Sequence, residues 1–265
     1  MDYTINVRGR LLDLSEPKVM GILNVTPDSF YAGSRAQTKE AVLERARQLR
    51  TEGAAMLDIG ACSTRPGSEP VSEEQEMERL RMALRIVRSE ASDAVVSIDT
   101  FRPEVAAMAV KEFDADIIND VSGGSAEMFR VVTRLRVPYI LTSVEPTLHD
   151  ILLDFAEKVQ QLRDLGQKDI ILDPGFGFGK TLEQNYEVLS GMEQLQVLGL
   201  PILAGISRKS MIYRLLGTTP DESLNGTTVI NTVALMKGAS ILRAHDVREA
   251  AECIKLYRKC SSSLG

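Results

Sequence analysis

Short apolar runs alternate along this chain with longer stretches in which apolar residues return every third or fourth position. The runs lie at residues 19–25, 55–59, 95–98, 117–118, 137–141, 170–172, 201–206 and 241–244. Each is too short and too continuously apolar for an amphipathic helix, and each predicts a strand buried on both faces. The stretches between them predict helices. Residues 38–52 set Val42, Ala46 and Leu49 on one helical face, with Glu44, Arg45 and Arg47 between them. Ser72-Glu73-Glu74-Gln75 is a capping-box pattern opening a helix that runs to about Arg88. Pro103 stands at the first turn of the third helix, where its missing N–H costs little. Further helices are predicted over 126–135, 148–165, 182–195, 210–216, 224–237 and 247–259. Ahead of the series, residues 3–7 and 11–14 flank Arg8-Gly9-Arg10 and predict a β-hairpin, and residues 261–265 read as a frayed tail.

Eight strand–helix units in series place the chain in the α/β class and predict a (β/α)8 TIM barrel with an N-terminal β-hairpin. An open doubly wound sheet is the alternative; the lack of a dinucleotide fingerprint favours closure. The 265 residues, 44% of them hydrophobic, suffice for one domain over residues 1–265, and no tract rich in Pro, Gly or Ser divides them. A net charge of −6 argues against general nucleic-acid binding, which needs a basic face. The start, Met1 to Val7, lacks the basic and apolar regions of a secretory signal. No apolar run approaches the roughly 18 residues of a membrane span, so no membrane association is expected. Cys62, Cys253 and Cys260 are odd in number and form no C-x-x-C. Neither a disulfide framework nor a zinc site is expected, and a reducing cytoplasm fits.

In such barrels the chemistry sits at the C-terminal ends of the strands. Here those ends carry Asn24, Asp58, Asp99, the pair Asn119-Asp120, Asp173, the run Ser207-Arg208-Lys209-Ser210, and Arg243 with His245 and Asp246. One such residue is readily a cap or an ion-pair partner. Together they make a polar mouth on an apolar barrel, which stability alone does not account for, because buried polar groups cost free energy unless paired. Asp99, Asn119 and Asp173 offer acceptors suited to a flat heterocycle with amino and ring N–H groups. Arg65, Arg208, Lys209, Arg243 and His245 suit an anion such as phosphate or pyrophosphate. Ser210 opens a helix, where a backbone N–H can receive a carboxylate. Asn24 offers a neutral oxygen suited to Mg²⁺, an ion that keeps waters and borrows phosphate oxygens from a substrate.

The stretch Asp173-Pro174-Gly175-Phe176-Gly177-Phe178-Gly179-Lys180-Thr181 lies between a predicted strand and a helix. It imitates a phosphate-binding loop, but the P-loop needs Gly at position 174, which is Pro, and the dinucleotide frame is broken too. The glycines read instead as a tight turn beneath a ring, with Asp173 facing it and Phe176 and Phe178 as walls.

Asn24-Val25-Thr26-Pro27-Asp28-Ser29-Phe30, Ser63-Thr64-Arg65-Pro66-Gly67, Ser97-Ile98-Asp99-Thr100, Ile118-Asn119-Asp120, the stretch 173–180, Ser207-Arg208-Lys209-Ser210 and Arg243-Ala244-His245 together resemble the dihydropteroate synthase family of pterin-binding enzymes. The likeness runs in order from about Val19 to Tyr257. It implies that the amine of p-aminobenzoate displaces pyrophosphate from 6-hydroxymethyl-7,8-dihydropterin diphosphate, giving a folate precursor, and that sulfonamides act as p-aminobenzoate mimics. By the family pattern Asp99, Asn119, Asp173 and Lys209 hold the pterin, with Phe178 beside it. Asn24 binds Mg²⁺ at the pyrophosphate, which Arg243 and His245 also bind, next to Ser207. Phe30, Thr64, Arg65 and Pro66 belong to two loops that shape the p-aminobenzoate pocket, and Ser210 receives its carboxylate. Asp99, Lys209 and Arg243 are the residues expected to bear most directly on the chemistry, and a homodimer through the late helices is implied.

One region departs from the family. After the fifth barrel strand the family usually has Met-His-Met and a Gly-x-Pro; this chain has Thr142-Ser143-Val144-Glu145-Pro146-Thr147 running straight into a helix. No methionine contact to the pterin carries over, and the loop reads as shortened. Three other readings stand beside this one. A methyltransferase acting on methyltetrahydrofolate needs neither the pyrophosphate cations nor the Ser63–Gly67 loop. A Schiff-base aldolase rests on Lys209 alone. A pterin-binding relative without activity is suggested only by the altered loop.

Overall fold

The computed structural model describes residues 3–26, 35–62 and 71–261. Strands β1 (Thr4–Val7) and β2 (Arg10–Asp13) pair antiparallel, with Val7 opposite Arg10. Arg8 and Gly9 between them both take positive φ, 48° and 76°, as a two-residue type I′ turn requires. Arg8 is held there by its side chain, which reaches the Asp116 carboxylate at 2.5 Å and the Ala94 carbonyl at 3.1 Å. The turn is thereby fastened to the underside of the main body.

That body is a closed barrel of parallel strands: β3 (Lys18–Asn24), β4 (Met56–Gly60), β5 (Val95–Asp99), β6 (Ile117–Asp120), β7 (Tyr139–Thr142), β8 (Ile170–Asp173), β9 (Ile202–Ala204) and β10 (Ala239–Ala244), in that spatial order. Around it lie α1 (Arg35–Thr51), α2 (Glu73–Glu90), α3 (Pro103–Phe113), α4 (Ala126–Leu135), α5 (Leu148–Asp164), α6 (Leu182–Ser190), α7 (Ser210–Leu216), α8 (Leu224–Met236) and α9 (Val247–Ser261). The (β/α)8 barrel with its N-terminal hairpin is the fold that the hydrophobic rhythm predicts.

The strands are buried on both faces, and their period of two sorts the side chains. Leu57, Ile59, Ile98, Tyr139, Leu141 and Leu172 join the large core between strands and helices. Met20, Met56, Ile117, Ile140, Ile171, Leu203 and Ile241 form a separate core inside the barrel, closed from below by Ile5, Val7 and Leu14 of the hairpin segment. Two residues further along five of these strands, on the same inner face, stand Asp58, Asn119, Thr142, Asp173 and Arg243; beyond Met20 and Leu203 the corresponding residues are Ile22 and Gly205. The lower barrel is thus apolar and sealed, and the upper barrel is polar.

Some boundaries differ from the sequence reading. The stretch 182–195 is not one helix. α6 stops at Ser190, Gly191 follows as its cap, and Met192–Leu198 form a 3₁₀ turn. Gly191 lies against Leu148, where any Cβ would collide with the leucine side chain. The fifth barrel strand starts at Tyr139 rather than at residue 137, because Pro138 has no N–H to give to the ladder. The fourth extends beyond residues 117–118 to Asp120.

Candidate active site

Three carboxylates converge inside the top of the barrel. Asp58 is fully buried, and its Oδ2 accepts from Arg243 Nε at 2.6 Å and from Asn119 Nδ2 at 3.1 Å. Arg243 Nη2 donates to Asp99 Oδ2 at 2.6 Å. One guanidinium therefore bridges two carboxylates from β4 and β5, and the same Asp58 oxygen fixes which way the Asn119 amide points. The Asn119 Oδ1 atom is left buried and without a partner, as are Asp58 Oδ1, Ser97 Oγ and Thr142 Oγ1. These four orphaned atoms belong to inward positions of four consecutive strands, β4 to β7. Buried polar atoms are paired almost everywhere in folded proteins, so a concentration of unpaired ones at a barrel mouth marks a place for a polar ligand.

Asp173 ends β8 on the far side of this floor. Its Oδ1 accepts from the Gly175 amide at 2.8 Å. Gly175 takes φ +70°, and a Cβ there would collide with the Ser143 carbonyl oxygen. Further along, the Gly177 amide donates to Asn185 Oδ1 at 2.7 Å. The carbonyls of Gly175, Phe178 and Ser143 lie 3.0, 3.4 and 3.5 Å from Lys180 Nζ. A phosphate loop points its N–H groups at an anion; this turn wraps carbonyls around an ammonium. Phe178 does line the site, with Lys209 Nζ 4.5 Å from its ring centre. Phe176 does not: its side chain is buried in the core between strands and helices, and only its carbonyl, which accepts from Lys209 Nζ, faces the mouth.

Burial sets the charge states. It pushes the Asp99 carboxyl up to about 7, with Arg243 pulling it down and the charge of Asp58 adding to the rise. Asp173 is raised by burial, against the lowering effect of Lys209. Burial lowers Lys209 to about 8 even though Asp173 favours its charge, and Lys180 to about 8 in the same way. Arg243 is driven further toward its charged form by Asp58 and Asp99, which outweigh the cost of burial.

The anion-binding candidates separate. The Ser207 hydroxyl lies 3.1 Å from His245 Nδ1 and accepts from the His245 amide at 3.1 Å, so it fixes the ring at the end of β10. Arg208 is committed elsewhere. It pairs bidentately with Asp246 at 2.9 and 2.8 Å and reaches the Pro220 and Asp221 carbonyls, both at 3.2 Å, which removes it from the anion set. Ser210 is the first residue of α7, with Lys209 as its N-cap. Asp120 is corrected as well: it faces outward, accepting from the Tyr139 hydroxyl at 2.8 Å and from Ser122. Phe30, Thr64, Arg65 and Pro66 lie outside the described residues.

Asn24 ends β3 beside Gly60. A Cβ on Gly60 would stand 3.4 Å from Asn24 Oδ1 and 3.6 Å from Asp99 Oδ2, so the glycine keeps open the space next to both oxygens. A hard divalent ion fits such a donor set. Among the described residues no three His, Cys, Asp or Glu side chains cluster as a metal cage. Asp58, noted in the sequence only as a polar strand residue, and Thr142, noted only as part of an altered loop, were given no role there. Their signal was positional: each stands two residues beyond a member of the inner apolar core.

Comparison with known proteins supplies a context for this geometry. The profile of the family described as pterin binding enzyme matches residues 20–245. A dihydropteroate synthase of Clostridium beijerinckii is 40% identical over 249 residues, covering 90% of this chain and 92% of that protein. Among solved structures, the Xanthomonas albilineans dihydropteroate synthase with 4-aminobenzoic acid superposes with a TM-score of 0.92 at 33% identity, covering 98% of this chain and 99% of that one. A dihydropteroate synthase from Clostridium difficile, solved in the presence of pteroic acid, gives a TM-score of 0.88 at 33% identity, covering 92% of this chain and 97% of that one.

Proposed function

The chain belongs to the pterin-binding enzyme family, and from that premise we propose that it acts as a dihydropteroate synthase, joining p-aminobenzoate to 6-hydroxymethyl-7,8-dihydropterin diphosphate with release of pyrophosphate. The observation that carries this reading is the inward polar ring of Asp58, Asp99, Asn119 and Asp173, crossed by Arg243 and flanked by Lys209. Asp173 accepts from the guanidine-like edge of the pterin, where a charge-assisted pair is strongest. Asn119, oriented by Asp58, supplies an acceptor whose other atom is already satisfied. Lys209, held against Phe178, donates to the opposite edge. Asp99 stands where positive charge grows on the pterin as the C–O bond to the diphosphate breaks.

Leaving-group departure is the step this site is built to assist. Arg243 and His245 lie on one strand end and take the pyrophosphate, with Ser207 fixing the imidazole. Asn24 would hold Mg²⁺, which when bound would supply charge neutralisation for the departing pyrophosphate. No strong base is required, because an aniline nitrogen is nucleophilic when neutral. Ser210, opening α7, receives the p-aminobenzoate carboxylate, and the resemblance assigns Phe30, Thr64, Arg65 and Pro66 to recognition of its ring.

Two further parts of the reading are ours. We place the chain as one catalytic domain in a reducing cytoplasm, a reading supported by an odd number of cysteines with no C-x-x-C pair among them. We also propose a homodimer through α8 and α9. The groove between them is lined by Leu224, Thr228, Met236, Leu256 and Tyr257, and Met236 and Leu256 are 70% and 68% exposed. An exposed apolar face of this kind fits a second copy.

The deciding assay mixes the purified protein with dihydropterin diphosphate, p-aminobenzoate and Mg²⁺. Pyrophosphate release that depends on p-aminobenzoate is expected. Release without it, or no release, overturns the assignment.

A further inference from the structure

Thr142 ends β7 between Asn119 on β6 and Asp173 on β8. It is fully buried, and its Oγ1 has no hydrogen-bond partner. Its direction follows from the strand. Tyr139 and Leu141 join the outer core and Ile140 the inner one, so Thr142 continues the inner face. In the ladder it stands level with Asp173. Its methyl faces the Gly175 turn, Cγ2 lying 3.1 Å from where a Cβ on that glycine would stand. The hydroxyl takes the other branch of the side chain.

The backbone around it is fixed. The Ser143 amide donates to the Asp173 carbonyl at 2.9 Å, and the Ser143 hydroxyl donates to Asp154 Oδ2 at 2.7 Å. Asp154 is in turn paired with Lys158 at 2.5 Å. The shortened loop is therefore pinned, and Thr142 cannot turn away to find water at low cost. A buried hydroxyl left unpaired costs free energy in the ligand-free protein. It sits among the acceptors of Asn119 and Asp173, and unlike either it can also donate.

We propose that Thr142 is a specificity-determining residue of this site, hydrogen-bonding the edge of the bound amino-heterocycle between the groups held by Asn119 and Asp173. The inference rests on the pterin reading above. A hydroxyl can accept from an exocyclic amino group and donate to an adjacent ring nitrogen. A ring offering both is favoured over one offering only a hydrocarbon edge there, because the latter leaves Oγ1 unpaired in the complex too.

The test titrates the full-length protein with 6-hydroxymethylpterin by calorimetry and records the Tm of each ligand-free variant. Thr142→Val keeps the shape and removes the hydroxyl; it should bind roughly 5- to 20-fold more weakly while melting at a higher temperature than wild type. Thr142→Ser keeps the hydroxyl and should retain affinity within about twofold. Wild-type affinity in Thr142→Val, a Tm below wild type in that variant, or equal loss in Thr142→Ser overturns the proposal. Failure of the wild-type protein to bind 6-hydroxymethylpterin overturns the pterin reading itself, and this inference with it.

Discussion

Asp58 decides more than its place in the middle of a strand suggests. Its one engaged oxygen holds both Arg243 and the amide of Asn119. Asp58→Asn should lower stability by about 1.5–3 kcal/mol in a denaturant titration, since a hydrogen bond to a charged partner is lost. The same change should bring the Asp99 carboxyl down, because the Asp58 charge is one of the causes that raise it. The pH dependence follows from the sign of that shift. Asp99 sits at about 7 in the folded chain against an ordinary value of 3.8. The folded state thus binds the proton more tightly, so this group's contribution is full below pH ~4 and is lost as pH rises through ~7. Stability measured at pH 5 and at pH 7.5 should differ less in Asp99→Asn than in wild type; an unchanged difference would show that Asp99 titrates elsewhere. At the opposite wall, Asp173→Asn should weaken pterin binding by roughly 1.5–3 kcal/mol through loss of a charge-assisted pair, read by calorimetry.

At the scale of elements, the hairpin and the Gly-rich turn show what was legible in the chain and what was not. The hairpin could be read from Arg8-Gly9 between apolar runs, but its task could not. Alternation along β1 places Ile5 and Val7 on one face, and only the closed barrel shows that this face seals the inner core. Ile5→Ala should cost about 2–5 kcal/mol of stability, the usual penalty for emptying a buried aliphatic site, and leave the KM for both substrates alone. A raised KM would mean that the plug shapes the mouth as well. The turn after β8 was legible in its negative features: Pro174 excluded a phosphate loop, and Asp173 was picked out by its place at a strand end. The destination of the two phenylalanines was not, because Gly177 lies between them and its φ of +81° reverses the alternation that a straight strand would keep. The division of the stretch 182–195 was hidden for a related reason. Periodicity continues through Gly191, and only contact with Leu148 on another helix requires a residue without a side chain there.

The whole molecule follows from a rule simple enough to be visible in one dimension. Apolar strands buried on both faces, alternating with amphipathic helices, close into a barrel, and inner residues two steps beyond the apolar floor form the mouth. What that rule leaves undetermined is the outside, where a hydrophobic residue is compatible with a helix face turned to a strand or to another molecule. Met236 and Leu256 face away from the barrel. Their helices bury other residues against the barrel, Ala234 and Leu235 from α8 and Cys253 and Ile254 from α9, and leave these two outward. In a twofold dimer each residue occurs twice across the same contact, so a charge placed there meets its own copy as well as an apolar wall. The wild-type chain is therefore expected to elute with light scattering at twice its 29.2 kDa. The double variant Met236→Glu, Leu256→Glu should run as a single chain at micromolar concentration. Because every strand of the barrel comes from one chain, the monomer should still bind 6-hydroxymethylpterin, though with a lower Tm. A wild-type protein that elutes at the mass of one chain would remove the dimer. It would leave the groove between α8 and α9 to a different partner, without touching the chemistry at the barrel mouth.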